Sequence, residues 1–247
     1  MLQPTRAIIL KTVPYSETSL VVHAFTEAFG LQQYLVKGAR RVSKKGNSSS
    51  SLLQPAALLD MVVYSQPQKN LNIIKEMKWA LVYRQVMSSI SRHAVALYLT
   101  ELLTKCLKQP EQNPELFNLA EQSLRVLDAC EPLVAANLPL HFTLQVAAIL
   151  GFGLTDDFTE QRPILDLQEG NYVAEPPPQG LYLDPTLSQI THQLLQHSNP
   201  VTLYRLKLNQ HQRRSLLNAY QQFYQHHVAE FGYLRTLPVL QEVLGEG

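Results

Sequence analysis

Residues 5–37 read TRAIILKTVPYSETSLVVHAFTEAFGLQQYLVK. Thr5–Val13 is rich in Ile, Leu and Val, and Pro14-Tyr15-Ser16-Glu17 supplies a turn. Ser19–Thr26 is a second β-branched run, Phe29-Gly30 breaks it, and Leu31–Lys37 is a third with approximate alternation. Further on, Leu58–Tyr64 (LLDMVVY) and Leu71–Glu76 (LNIIKE) add two more candidates. Five short strands in the first 80 residues, with no helical period until the end of that stretch, predict a small barrel of the OB-fold kind.

Between the third and fourth strands, Gly38–Ser51 (GARRVSKKGNSSSS) is basic and then serine-rich. It has almost nothing apolar to bury, so a mobile loop is expected. From Lys78 onward the period turns helical. Candidate helices are Val82–Ser91, Ala94–Leu107, Glu115–Ala129 and Pro139–Leu150, the third preceded by Asn113 as cap and Pro114 in the first turn. Gly151-Phe152-Gly153 ends the fourth, and a hairpin is expected around Gly170-Asn171. Asp184-Pro185 opens a helix to about His197, and Asn209 caps a last one to about Glu230. The fold class is therefore α+β: a five-stranded OB barrel over 1–78, then a mostly helical domain over 79–247.

The 247 residues are 45% hydrophobic and 17% charged, the composition of an ordinary globular chain. No apolar run approaches the roughly 20 residues of a membrane helix, so no membrane association is expected. MLQPTRAIILKTV has no small-residue cleavage site after an apolar stretch, so no secretory signal is expected either. Cys106 and Cys130 cannot form a disulfide framework and read as buried thiols of a reducing cytoplasm. Net charge is only +1, but it is unevenly spread. Up to residue 80 ten bases face four acids, leaving eleven bases and sixteen acids for the rest. A basic first third suggests a polyanionic partner; chance on a solvated surface gives the same count.

Catalytic signatures are missing. The sequence has no GxxxxGK[ST], no GxGxxG after a strand, no GxSxG elbow and no HExxH pair. Its 8 histidines lack the spacing of paired ligands, and Asp156-Asp157 reads as a turn or cap. No nucleophile–base or metal constellation can be assembled, so an enzyme is the least favoured class.

Lys37, Arg40 and Arg41, with Lys44 and Lys45 just beyond, leave the end of a strand beside Gly38. Long cationic side chains there would take phosphates, each one neutralised releasing a counterion. Arg6 and Lys11 on the first strand and Tyr34 on the third complete the candidate set. A stacking role for Tyr34 or Phe25 competes with simple barrel-core packing, which fits each singly better. The bland reading of the loop is a solvated cap on a sheet edge, and spacing alone does not separate the two. In the last helix Leu216, Leu217, Tyr220, Phe223, Tyr224, Val228 and Phe231 share a helical spacing. Core packing is its ordinary meaning. A groove for a partner's apolar tail, with Arg213 or Arg214 for a carboxylate, is the functional one.

The order of short elements resembles the RecO family of recombination mediators. The likeness rests on Arg6-Ala7-Ile8-Ile9-Leu10, Tyr15-Ser16-Glu17-Thr18-Ser19-Leu20, Phe25-Thr26-Glu27, Phe29-Gly30, Lys37-Gly38-Ala39-Arg40 and Leu53-Gln54-Pro55. Tyr98–Leu103 and Leu150-Gly151-Phe152-Gly153 extend it more sparsely. The resemblance implies an N-terminal OB-fold, a helical C-terminal domain and a bacterial cytoplasmic, nucleoid-associated protein. It implies binding of single- and double-stranded DNA, annealing of complementary strands, assistance to RecA loading, and partnership with RecR and the C-terminal tail of single-strand binding protein. It maps the family's basic loop onto Lys37, Arg40 and Arg41. Many members bind zinc through four cysteines after the LGFG-like element; here about 154–183 has no cysteine, so zinc is expected to be absent and no cofactor is expected. The rival readings are an RNA-binding OB protein and an interaction scaffold that binds no nucleic acid.

Overall fold

The computed structural model describes residues 2–40, 49–64, 71–178 and 180–244. Strands β1 (Leu2–Pro14), β2 (Leu20–Thr26), β3 (Gly30–Val36), β4 (Leu58–Tyr64) and β5 (Asn72–Trp79) close into a barrel in the order β1-β2-β3-β5-β4. Neighbours run antiparallel except β3 and β5, which pair in parallel over Tyr34↔Asn72 and Leu35↔Ile73. Alternation decides the filling. Ala7, Ile9, Val22, Ala24, Tyr34, Leu59, Met61 and Val63 point inward and pack into one cluster. Buried apolar side chains of this size each contribute about 1.5–3 kcal/mol.

One irregularity changes what β1 presents. Its register with β2 shifts between Ile9 and Lys11, the signature of a bulge. Before the shift Ala7 and Ile9 face inward while Arg6 and Ile8 face out. After it, Lys11 stands opposite His23 and Val13 opposite Val21 on the outer face.

Helices α1 (Ile90–Cys106), α2 (Pro114–Ala129) and α3 (Pro132–Ile149) follow. A three-stranded sheet of β6 (Ile164–Asp166), β7 (Asn171–Val173) and β8 (Tyr182–Leu183) comes next, then α4 (Pro185–Leu195), α5 (Gln210–His227) and α6 (Thr236–Val243). The OB-type barrel followed by a helical region is thus the fold. Contacts group the chain into two compact units: Met1–Tyr83 with Leu103–Glu121, and Arg84–Leu102 with Gln122–Gly247. The barrel unit therefore recruits helical chain from beyond the expected 78/79 boundary.

Within that unit the start of α2 packs on the outer face of β1 and β2 around Arg6 and Phe25. Phe25, fully buried, faces outward and meets Phe117 edge-on at 5.5 Å between ring centroids. Packing, but not barrel-core packing, is the outcome for Phe25. The chain before α2 lies so close to Gly30 (φ +64°) that a Cβ there would be 1.9 Å from the Glu111 carbonyl oxygen.

Three helical expectations are corrected. Val82–Ser89 is not helical, because the Asp128 carboxylate gathers the backbone N–H groups of Arg84, Gln85 and Val86 into a turn. Helix α3 begins at Pro132 rather than Pro139, which sits inside it. A proline at the first helical position is favourable, and the later one forgoes a single bond in a helix fixed by burial. Helix α5 ends at His227, while Phe231 beyond it remains buried. Among the described residues one helix, α3, is long and apolar enough to cross a membrane, and 67% of it is buried. Its polar members have jobs inside: Asn137 Nδ2 donates to the Leu203 and Leu206 carbonyls at 3.1 and 2.8 Å, and His141 Nε2 donates to the His197 carbonyl at 2.8 Å.

Candidate nucleic-acid interface

The bulge and the start of α2 divide the outer face of the barrel in two. At the covered end lie Arg6, Ile8, Phe25 and Glu27. The other end is open, and pairing builds it in rows. Lys11, His23 and Gln33 form one; Val13, Val21 and Leu35 form the next, which the sheet continues through Ile73 and Tyr64. Beyond that, the Tyr15 amide donates to the Ser19 carbonyl at 3.0 Å, and Leu20↔Val36 puts Ser19 beside Lys37. Arg40 N–H then donates to the Thr18 carbonyl at 3.2 Å, tying the end of the β3 segment to the β1–β2 turn.

Lys11, Lys37 and Arg40 are exposed there and form no ion pair among the described residues. His23 was not singled out by the sequence. Burial and the neighbouring Lys11 charge both lower its pKa, so near neutral pH it is an uncharged hydrogen-bonding group between Lys11 and Gln33. Strand alternation could have found it only with the bulge already known. Arg41, Lys44 and Lys45 lie outside the described residues, as does most of the loop expected to be mobile.

Two candidates are corrected. Arg6 is engaged by the protein's own carboxylates: Nε and Nη2 donate to Glu27 at 3.0 and 2.7 Å, and Nη1 to Glu121 at 2.6 Å. Its guanidinium also lies 5.8 Å from the Phe117 ring centroid. The Glu27 bonds, with the Glu121 charge, raise its pKa despite partial burial. The Glu121 side chain is only 4% exposed, so Arg6 serves to neutralise a buried acid rather than to offer a charge. Tyr34 is 1% exposed inside the barrel, and burial raises its hydroxyl pKa, partly countered by a bond with Thr26. No base can reach that ring.

Elsewhere in the barrel unit a cavity of about 700 Å³ is lined by Arg6 and Lys78 against Glu27, Asp60 and Glu76. With acids in the majority, and Lys78 within 3.8 Å of Asp60, it repels phosphate. In the helical unit a cavity of about 600 Å³ has apolar walls of Pro132, Leu133, Val243 and Leu244 with Arg92 and Arg213 among its lining. Arg92 is 7% exposed and already donates to the carbonyls of Leu127 and Cys130. Arg213 is different. Its Nη1 donates to the Leu208 carbonyl at 2.5 Å, and burial lowers its pKa; among the described residues its buried Nε has no partner and no carboxylate lines the cavity.

This combination of a five-stranded barrel with a cation-lined outer face and a helical region matches known proteins along nearly its whole length. Family models described as Recombination protein O, N terminal and C terminal, match residues 1–83 and 87–237. The chain belongs to the RecO family. It is 27% identical over 243 residues to the DNA repair protein RecO of Azobacteroides pseudotrichonymphae, covering 98% of this chain and 99% of that one. To the DNA repair protein RecO of Phocaeicola vulgatus it is 29% identical over 244 residues, again covering 98% and 99%. To that of Christiangramia forsetii it is 28% identical over 257 residues, covering 99% and 100%. It is accordingly a DNA repair protein of the RecO family.

From Leu154 to Leu183 the sequence has no cysteine, and no described group of three His, Cys, Asp or Glu could hold an ion. Polar side chains brace the small sheet instead. Asp157 accepts from Tyr172 N–H at 3.0 Å and from Arg162 at 2.7 Å, and Ser188 Oγ accepts from Leu165 N–H and donates to the Leu183 carbonyl. Asp156 meets His192 at 2.5 Å, and Phe158 stacks on that imidazole at 4.9 Å.

Proposed function

We propose that this RecO-family chain is a non-enzymatic DNA-binding mediator that anneals complementary single strands and assists RecA loading, without zinc or another cofactor. The observation that carries the reading is the open half of the barrel's outer face, where Lys11, Lys37 and Arg40 flank uncharged strand residues and pair with no described carboxylate. Phosphates on such a surface release counterions, giving sequence-independent, salt-sensitive binding of single strands and duplexes. Two strands held there repel each other less, and base pairing itself supplies recognition. Arg41, Lys44 and Lys45 follow in the sequence and raise the positive charge of this segment.

The partners proposed are RecR and single-strand binding protein, with RecA reached indirectly, at the nucleoid in the cytoplasm. An acidic, apolar C-terminal tail suits the Arg213 cavity: apolar walls for its side chains and, for its carboxylate, a guanidinium that meets no carboxylate among the described residues.

Anisotropy titration of labelled oligothymidylate over a series of salt concentrations tests the DNA reading. Replacing both Lys37 and Arg40 with alanine is expected to weaken binding and to reduce the log–log salt slope by about 1.4, at ~0.7 per cation on single strands. Annealing of strands coated with single-strand binding protein is expected to slow in parallel. Unchanged affinity and slope would remove this face from the site.

A further inference from the structure

A row of apolar side chains starts on the open face and passes around the barrel, one from each strand. From β1 to β4 it runs Val13, Val21, Leu35, Ile73 and Tyr64, each pair set by strand register. Ile73 is 48% exposed and Tyr64 40%. Two residues beyond Val13, Tyr15 is 65% exposed in the β1–β2 turn, which Tyr15 N–H, Ser16 N–H and Ser16 Oγ hold through Ser19. The row is thus apolar along its length with a tyrosine at each end. Four strand spacings of about 4.8 Å make a path of about 19 Å along the curved wall of the closed barrel, whose β4 pairs back with β1.

Val13, Val21 and Leu35 are half-buried, and a partly exposed apolar track that ends in exposed Ile73 and Tyr64 marks a binding surface. Charge selects the occupant. Along its β1–β3 part Lys11 lies on one side of the track and Lys37 and Arg40 on the other, with Glu17 in the turn; on β4 and β5 the acids Asp60 and Glu76 are paired with Lys78 and Lys75. An apolar centre edged by cations fits a chain that is flat and aromatic inside and anionic outside, which is an unpaired nucleic-acid strand. A duplex cannot use the track, since its bases are already stacked on one another; it can meet only the cations.

We propose that Tyr15 and Tyr64 are stacking platforms for unpaired bases and that these two rings, rather than the cations, set the preference for single over double strands. The inference rests on the DNA-binding reading of the same face. It makes strand release part of annealing: once bases pair they leave the rings, and the product duplex keeps only its phosphate contacts.

The test uses the full chain with Tyr15→Ala, Tyr64→Ala and Tyr15→Phe, each checked for an unchanged thermal melt. The probes are labelled oligothymidylate and a duplex of equal length, titrated over several salt concentrations. Each alanine variant is expected to lose roughly 5- to 150-fold in single-strand affinity, the effect of one stacked base. Its duplex affinity and salt slope are expected to stay as in the parent, and Tyr15→Phe to bind like the parent. Equal losses on both probes, or no loss on either, overturn the inference while leaving the cationic surface standing. A parent chain that binds neither probe at low salt overturns the DNA reading itself, and this inference with it.

Discussion

Asp128 bears most of the burden of the turn that follows the barrel, and its removal can be worked through from the bonds it makes. The carboxylate, 7% exposed near the end of α2, accepts from Arg84, Gln85 and Val86 N–H at 2.8 to 3.0 Å. Val86 is buried, so its N–H has no water to turn to, and a bond to a charged acceptor there contributes about 1.5–3 kcal/mol. Arg84 and Gln85 are exposed residues whose N–H groups rehydrate, adding about 0.5 kcal/mol each. Asp128→Ala is therefore expected to destabilise by about 3 kcal/mol, and Asp128→Asn, which keeps an acceptor without the charge, by about 1–2 kcal/mol. Acid supplies a sharper check. Burial raises the Asp128 pKa, but the three backbone donors and the Arg92 charge outweigh it and leave the group below its ordinary 3.8. A depressed carboxyl stabilises the fold above its unfolded value and loses that contribution as pH falls through the folded one. The parent and Asp128→Asn should consequently differ at neutral pH and converge below about pH 4 as the parent's carboxyl takes up its proton. Urea unfolding followed by far-ultraviolet circular dichroism at a series of pH values reads both quantities. An alanine variant within about 1 kcal/mol of the parent, or a gap that persists into acid, would refute the reasoning.

Two further outcomes follow from close contacts. Gly30→Ala combines a left-handed backbone with a Cβ 1.9 Å from the Glu111 carbonyl, so the chain before α2 must move; a loss of more than about 2 kcal/mol is expected in thermal or urea unfolding, and a neutral variant would contradict the described contact. Arg213→Met keeps the bulk of the side chain while removing the charge; binding of an acidic peptide ending in a free carboxylate should weaken at least about tenfold by calorimetry, whereas the same peptide amidated should bind parent and variant alike.

The barrel was legible because its strands obey a two-residue period and the breaks between them hold Pro14, Ser16 and Gly30. The helical region was legible wherever a cap could be read: Asn209 closes a capping box with Gln212, and Asp184 accepts from Leu187 N–H. What escaped depends on contacts remote in the chain. The fate of Arg6 is decided by Glu121, which lies 115 positions away, and no local pattern announces it. Pro139 looks like a helix start, since burial on all sides of α3 leaves no periodicity to reveal the preceding turns. Helix α6 is too short to carry a period, yet its end supplies Val243 to the wall beside Arg213, which is why Arg213 could be suspected but its cavity could not be drawn. The cationic cluster was visible in composition, while its division into engaged Arg6 and available Lys11 was not.

That division traces to the extra residue in β1. Upstream of it the strand offers even-numbered side chains to the exterior; downstream it offers odd-numbered ones. Deleting Leu10 would restore a regular ladder and leave Lys11 opposite His23 on the outer face, with Thr12 still turned in. The open face therefore survives loss of that one residue, whereas removing a residue from Lys11 to Val13 would turn the rest of the strand over and bury what it now displays.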